Sequence, residues 1–205
     1  MNNIFCFLAL LIIANTSFSQ KTKILTKAET QELKKDLDNV PFPVYRAYEY
    51  NDKMGYFDLL FCEKQTTITA KDTITTNITA ICYVQDHGGY LEKWRIIDAV
   101  DKVNFENSIW FWTKYCTVTD IDGDGIIEPV IVYGTKTEDD IRRIKIITVY
   151  KGSKYVIRAV ECTLDDCRTF KKDEKFKDLP PAIKLYIDKL LEKMRTEQNV
   201  LLKNH

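Results

Sequence analysis

The chain has 205 residues, of which 45% are hydrophobic and 12% aromatic. That composition supports a packed globular body, long enough for one good core and short for two domains. Lys+Arg and Asp+Glu both total 30, so the net charge is zero and the basic excess of a nucleic-acid binder is missing.

The first residues do not belong to the fold. Ile4 to Ala14 is an apolar run too short to span a bilayer, and Asn15 to Gln20 is small and polar. This is the profile of a signal peptide over residues 1–19, with Ser17 and Ser19 meeting the small-x-small cleavage requirement. Met1-Asn2-Asn3 departs from the pattern by carrying no Lys or Arg. The expected mature chain, 20–205, is one exported domain in the periplasm or at the cell surface, with no membrane span.

Next comes a capping box, Thr26 with Glu29, followed by Leu33, Leu37 and Val40 at helical spacing until Pro41 and Pro43. The middle reads as strands: Tyr56 to Cys62, Thr66 to Val84, Leu91 to Val100, Ile109 to Trp112 and Tyr115 to Thr119. Asp86-His87-Gly88-Gly89 marks a turn. Val130 to Gly134 and the pair 144–150 and 155–161 follow, the last two joined by a hairpin turn over Lys151-Gly152-Ser153-Lys154. Leu179-Pro180-Pro181 then opens a helix with Ile183, Tyr186, Ile187, Leu190, Leu191 and Met194 on one face. The expected fold is α+β: a mainly antiparallel sheet, a short N-terminal helix and an amphipathic C-terminal helix docked on the sheet.

Export favours cysteine pairing. Cys162 and Cys167 bracket a tight loop that a disulfide could close. Cys62 and Cys82 would face each other if their strands turned near Asp72, and Cys116 could replace either of them. Zinc is the alternative, but Cys-x-x-Cys is missing and His87 is the one internal histidine.

The most chemically explicit stretch is Asp120-Ile121-Asp122-Gly123-Asp124-Gly125-Ile126-Ile127-Glu128. Asp120, Asp122 and Asp124 stand at positions 1, 3 and 5 of a cation loop, and the Ile126 carbonyl can supply position 7. A glycine at position 6 permits the sharp turn. An EF-hand would need an acid at position 12, where Ile131 stands, and helices on both sides. Here the acid is Glu128, at position 9, and the flanks are strand-like. The run resembles the calcium hairpin of FG-GAP and integrin-type repeats, in which the acids at 1, 3, 5 and 9 and the carbonyl at 7 bind Ca2+. The alternative is an Asp/Gly turn without metal. A β-propeller is excluded, because it needs several repeated blades.

Trp110 and Trp112 share one strand face, with Phe111 opposite, so one set is core and the other is a candidate platform for stacking sugars. His87 reads as an exposed turn residue. Arg142-Arg143-x-Lys145 reads as a solvated strand face.

Taken together, Asp86 to Gly89, Trp110 to Trp112, Asp120 to Glu128, Lys154 to Arg158 and the Cys162/Cys167 pair resemble a wider family. Its members are small exported proteins of Gram-negative envelopes labelled surface polysaccharide biosynthesis proteins. The resemblance implies a role in surface glycan and transfers no catalytic residues. Three readings follow. The leading one is a calcium-stabilised, non-enzymatic envelope protein that binds a glycan or protein partner. A polysaccharide-acting hydrolase or transferase would need a cleft with two carboxylates at working separation. A periplasmic inhibitor or immunity protein would show a protruding loop in place of a pocket.

Overall fold

The computed structural model describes residues 21–67, 73–163 and 165–202. The signal-peptide stretch lies outside the described residues. Eleven strands and two α-helices are present among those described.

The capping box at Thr26 forms as its residues require: the Glu29 NH donates to the Thr26 hydroxyl, and the Thr26 NH donates back to the Glu29 carboxylate. It starts α1 (Lys27–Leu33), preceded by the short strand β1 (Lys21–Ile24). The helix is shorter than its apolar spacing suggested. Leu37 and Val40 reach the same apolar cluster through turns, and Asn39 takes the left-handed conformation, φ 60°.

Strands β2 (Val44–Asp52), β3 (Gly55–Thr67), β4 (Thr73–Asp86) and β5 (Gly89–Ala99) then run as an antiparallel meander, with β1 on the free edge of β2. The second sheet is built from β6 (Ser108–Phe111), β7 (Thr117–Thr119), β8 (Glu128–Lys136), β9 (Arg142–Tyr150), β10 (Ser153–Glu161) and β11 (Thr169–Lys172). Its order is β11-β10-β9-β8-β6, with β7 also paired to β8. Helix α2 (Pro181–Gln198) closes the chain.

Strand alternation sorts these elements into four layers. Tyr48, Leu59, Phe61, Ile78 and Ala80 of the first sheet meet Ile109, Phe111, Ile131, Tyr133 and Ile147 of the second in one core. The opposite face of the second sheet, with Val130, Val132, Ile144 and Ile146, packs on Ile183, Ile187, Leu190, Leu191 and Met194 of α2. The opposite face of the first sheet carries Leu60, Cys62 and Ile81, under Leu37 and the residues around α1. Mainly antiparallel sheet with a short N-terminal and a longer C-terminal helix is the α+β fold expected. What the sequence did not separate is one sheet from two.

Cys162 and Cys167 are joined by a disulfide, their Cα atoms 6.2 Å apart. Cys62 and Cys82 are not: both are buried free thiols. The expectation erred in register. Cys62 lies across from Thr79 and Cys82 across from Leu59. An odd offset along a pleated strand sends the two sulfurs to opposite faces. Cys62 therefore faces the α1 side and Cys82 the inter-sheet core. Cys116 is also free, and its sulfur is held by the Val132 NH at 3.3 Å. Burial pushes the Cys116 thiol up to about 12, which leaves it inert at neutral pH.

Candidate metal centre

The acidic run is the loop between β7 and β8, which pair with Thr119 opposite Glu128. Its backbone is folded by its own carboxylates. Asp120 accepts from the NH groups of Gly123 (2.8 Å) and Gly125 (3.0 Å), and Asp124 accepts from the Ile126 NH at 2.9 Å. Gly123 (φ 78°) and Gly125 (φ 93°) occupy the left-handed region that the tight winding demands.

Asp120, Asp122, Asp124 and Glu128 each offer a carboxylate oxygen, and these oxygens all lie within 4.8 Å of one another. They form an acidic group that could hold a metal ion. Ile126 sits in the loop beside them, where the sequence places a carbonyl ligand. Glu128 is the informative member. Its side chain is fully buried, its Oε2 accepts from the Ile121 NH at 2.7 Å, and its Oε1 has no hydrogen-bond partner. A buried carboxylate oxygen without a partner is costly, and a cation would supply what is missing. Burial pushes the Glu128 carboxyl up to about 7. The Ile121 NH opposes that shift, and the charges of Asp122, Asp120 and Asp124 add to it. A divalent ion would reverse the like-charge part.

Two lysines offer a weaker compensation. The Lys53 ammonium bonds the Asp124 carbonyl, and the Lys151 Nζ stands 3.5 Å from the Asp124 carboxylate. Lys151 is more than half exposed, so its pairing contributes little.

Sequence reasoning missed the loop's second attachment. The Lys53 NH donates to the Gly125 carbonyl at 3.0 Å, and the Ile127 NH donates to the Asp52 carboxylate at 3.0 Å. Asp52 and Lys53 belong to the β2–β3 turn of the first sheet. The loop thus joins two sheets as well as two strands. An acid and a lysine some seventy residues upstream gave no local signal of this role.

Trp110 and Trp112 do share a face, and their ring centroids are 6.3 Å apart. Phe111 points the other way, into the inter-sheet core. Trp112 is itself packed against the α2 side of the second sheet, tight over Gly134, whose absent Cβ would lie 2.8 Å from the indole. Trp110 is half-buried, and the two line a cleft of about 430 Å3 with Tyr115, Lys114, Lys136 and Arg142. That volume is within the range of small-ligand sites, about 300–1,000 Å3.

The His87 side chain is exposed in the β4–β5 turn, 2.5 Å from Asp86. The basic strand is not solvated as expected. Arg143 donates to Asp98 (2.7 Å) and to both oxygens of Glu106 (2.8 and 2.9 Å), and Lys145 donates to Asp98 at 2.7 Å. Side-chain alternation turns these two cations toward the other sheet and leaves Arg142 at the tryptophan cleft.

Five carboxylates, Glu29, Glu32, Asp36, Glu49 and Asp58, line one groove, and two of them sit directly opposite each other on neighbouring strands. Glu49 lies across from Asp58, both lining a depression of about 250 Å3 beside α1. Burial pushes the Asp58 carboxyl up to about 6, with the Gln85 amide opposing and the Glu49 charge adding.

In comparison with known proteins, no family model, curated protein or solved structure matches the chain. Among the described residues, no helix is long and apolar enough to cross a membrane.

Proposed function

We propose that this is an exported, calcium-stabilised, non-enzymatic protein of the cell envelope, and that it binds glycan in the service of surface polysaccharide. The observation that carries the metal half is the convergence of four carboxylates, one of them the fully buried Glu128 with an unpartnered oxygen. Calcium is favoured over magnesium because the ligands are carboxylates and a backbone carbonyl, a set suited to the larger ion, whereas magnesium prefers tighter geometry and keeps more water. The Cys162–Cys167 disulfide accords with an oxidising compartment. The Trp110/Trp112 cleft supports glycan binding, since aromatic faces with flanking cations suit sugars carrying acidic groups.

Thermal unfolding of chain 20–205 tests the metal. Saturating calcium should raise the midpoint over chelator by about 5–10 °C, and Asp122→Ala should erase the difference. Coincident curves would end the calcium reading. For the glycan, Trp110→Ala should cut retention on immobilised acidic polysaccharide while leaving the calcium response intact. Unchanged retention would move the ligand elsewhere.

A hydrolase is the second reading, favoured by the Glu49/Asp58 pair. It ranks lower because its groove is smaller than the usual small-ligand range and Asp58 is almost wholly buried.

A further inference from the structure

At the end that carries the acidic loop, the two sheets part to leave a second cleft, of about 440 Å3. Tyr50, Phe57 and Trp94 line it from the first sheet, and Ile127, Pro129 and Val149 from the second. Tyr50 and Phe57 stack on each other, with centroids 5.1 Å apart and planes 14° from parallel, so that wall is smooth and apolar.

The hydroxyl and the carboxylate on the walls are already engaged. The Tyr50 hydroxyl lies 3.4 Å from the Cys82 sulfur. Asp52 accepts from the NH groups of Met54 and Ile127, at 2.7 and 3.0 Å. A sugar, whose hydroxyls each require a partner, is poorly served here. An apolar body is well served, because it gives up water without losing hydrogen bonds. The cations that line the cleft are two exposed lysines, Lys93 and Lys151; Lys151 also lies 3.5 Å from the Asp124 carboxylate and 5.0 Å from the Tyr150 ring centroid. Met54, two-thirds exposed, also lines the cleft.

We propose that this cleft binds an amphipathic anion: a single acyl chain lies between the sheets, and its carboxylate meets Lys93 and Lys151. The apolar walls select the chain and the lysines select the sign of the head group. This site is separate from the tryptophan cleft and borders the acidic loop, since Ile126 lines it and Lys151 stands beside Asp124.

The probe is dodecanoate, titrated below its micelle concentration and followed by Trp94 emission. Trp94→Phe identifies the share of the signal that belongs to the cleft, and calorimetry gives the stoichiometry. Saturable one-to-one binding is expected, weakening about fourfold for each methylene removed in the shorter acids. Dodecyltrimethylammonium should bind at least tenfold more weakly than dodecanoate. Lys93→Glu with Lys151→Asn should cost dodecanoate about tenfold and leave dodecanol unaffected. Met54→Glu, at an exposed position that folding tolerates, should also weaken dodecanoate. Binding indifferent to head-group charge, to chain length or to these substitutions would overturn the proposal, as would no saturable binding.

Discussion

Single residues in this molecule are most informative where charge meets burial. Asp58 has almost no exposure, yet among the described residues no cation pairs with it; the Gln85 amide donates to it at 3.3 Å. Its folded carboxyl is raised from 3.8 to about 6, so the protonated form is the one the fold prefers. The associated stability is fully present below about pH 4 and is lost as pH rises through about 6. The full span is worth up to about 3 kcal/mol. Asp58→Asn should therefore flatten the decline of Tm across that window and raise Tm at pH 7.5. Glu63 and Glu128 shift in the same direction, so the readout is the difference between wild type and variant, followed by pH-resolved melting. A variant with an unchanged pH profile would show that Asp58 ionises freely in the native state.

At the scale of elements, what could be read depended on whether the signal was local. The capping box, the hairpin turn after Tyr150 and the apolar face of α2 each lie within a few residues, and each forms; the turn is tighter than expected, Lys151-Gly152 alone, because Ser153 and Lys154 already pair with Tyr150 and Val149. The acidic loop belongs with them, since its ligand spacing is a nine-residue property. Two of the failures involved pairing across distance, and one a helix boundary. A turn centred near Asp72 would put Cys62 and Cys82 on one face, and a register difference of three residues sends them to two. Arg143 and Lys145 carry the polarity of a solvated strand, but β9 is an interior strand of its sheet and their face is turned to Asp98 and Glu106. Leu37 and Val40 kept helical spacing without a helix, because the same cluster is reached equally well through turns.

The whole molecule is two sheets held face to face, and its polar fastenings sit at different places along that interface. The Arg143 network joins β5 and the β5–β6 segment to β8 and β9: the guanidinium binds Asp98, Glu106 and the Ala99 carbonyl, while Tyr133 and Thr135 bond the same two acids. Burial works against the Asp98 charge, but the hydrogen bonds of Lys145 and Arg143 outweigh it and hold its carboxyl below the usual range. Arg143→Met would leave two largely buried carboxylates short of their main cation. It should cost about 3–5 kcal/mol in denaturant unfolding, well above an exposed pair. A loss below about 1 kcal/mol would mean that Lys145 and the hydroxyls suffice. The acidic loop fastens the sheets a second time, through Asp52 and Lys53, so a calcium ion held there would brace the sandwich as well as one hairpin.

The sequence by itself determined the mainly antiparallel α+β class, the capping box at Thr26 and the acidic group, and it offered Cys162 with Cys167 as a pair that the structure joins. These are set by steric preference, short-range spacing and ligand count, which neighbouring residues carry. Only the tertiary structure decided that the strands form two sheets, that Cys62 and Cys82 stay apart, and that Arg143 is an inter-sheet tie. It alone showed Glu128 buried with an oxygen unpartnered, and an apolar cleft beside the loop. Those outcomes depend on register and on which faces meet, and a period-two pattern is equally consistent with either sheet partner until the whole chain has packed.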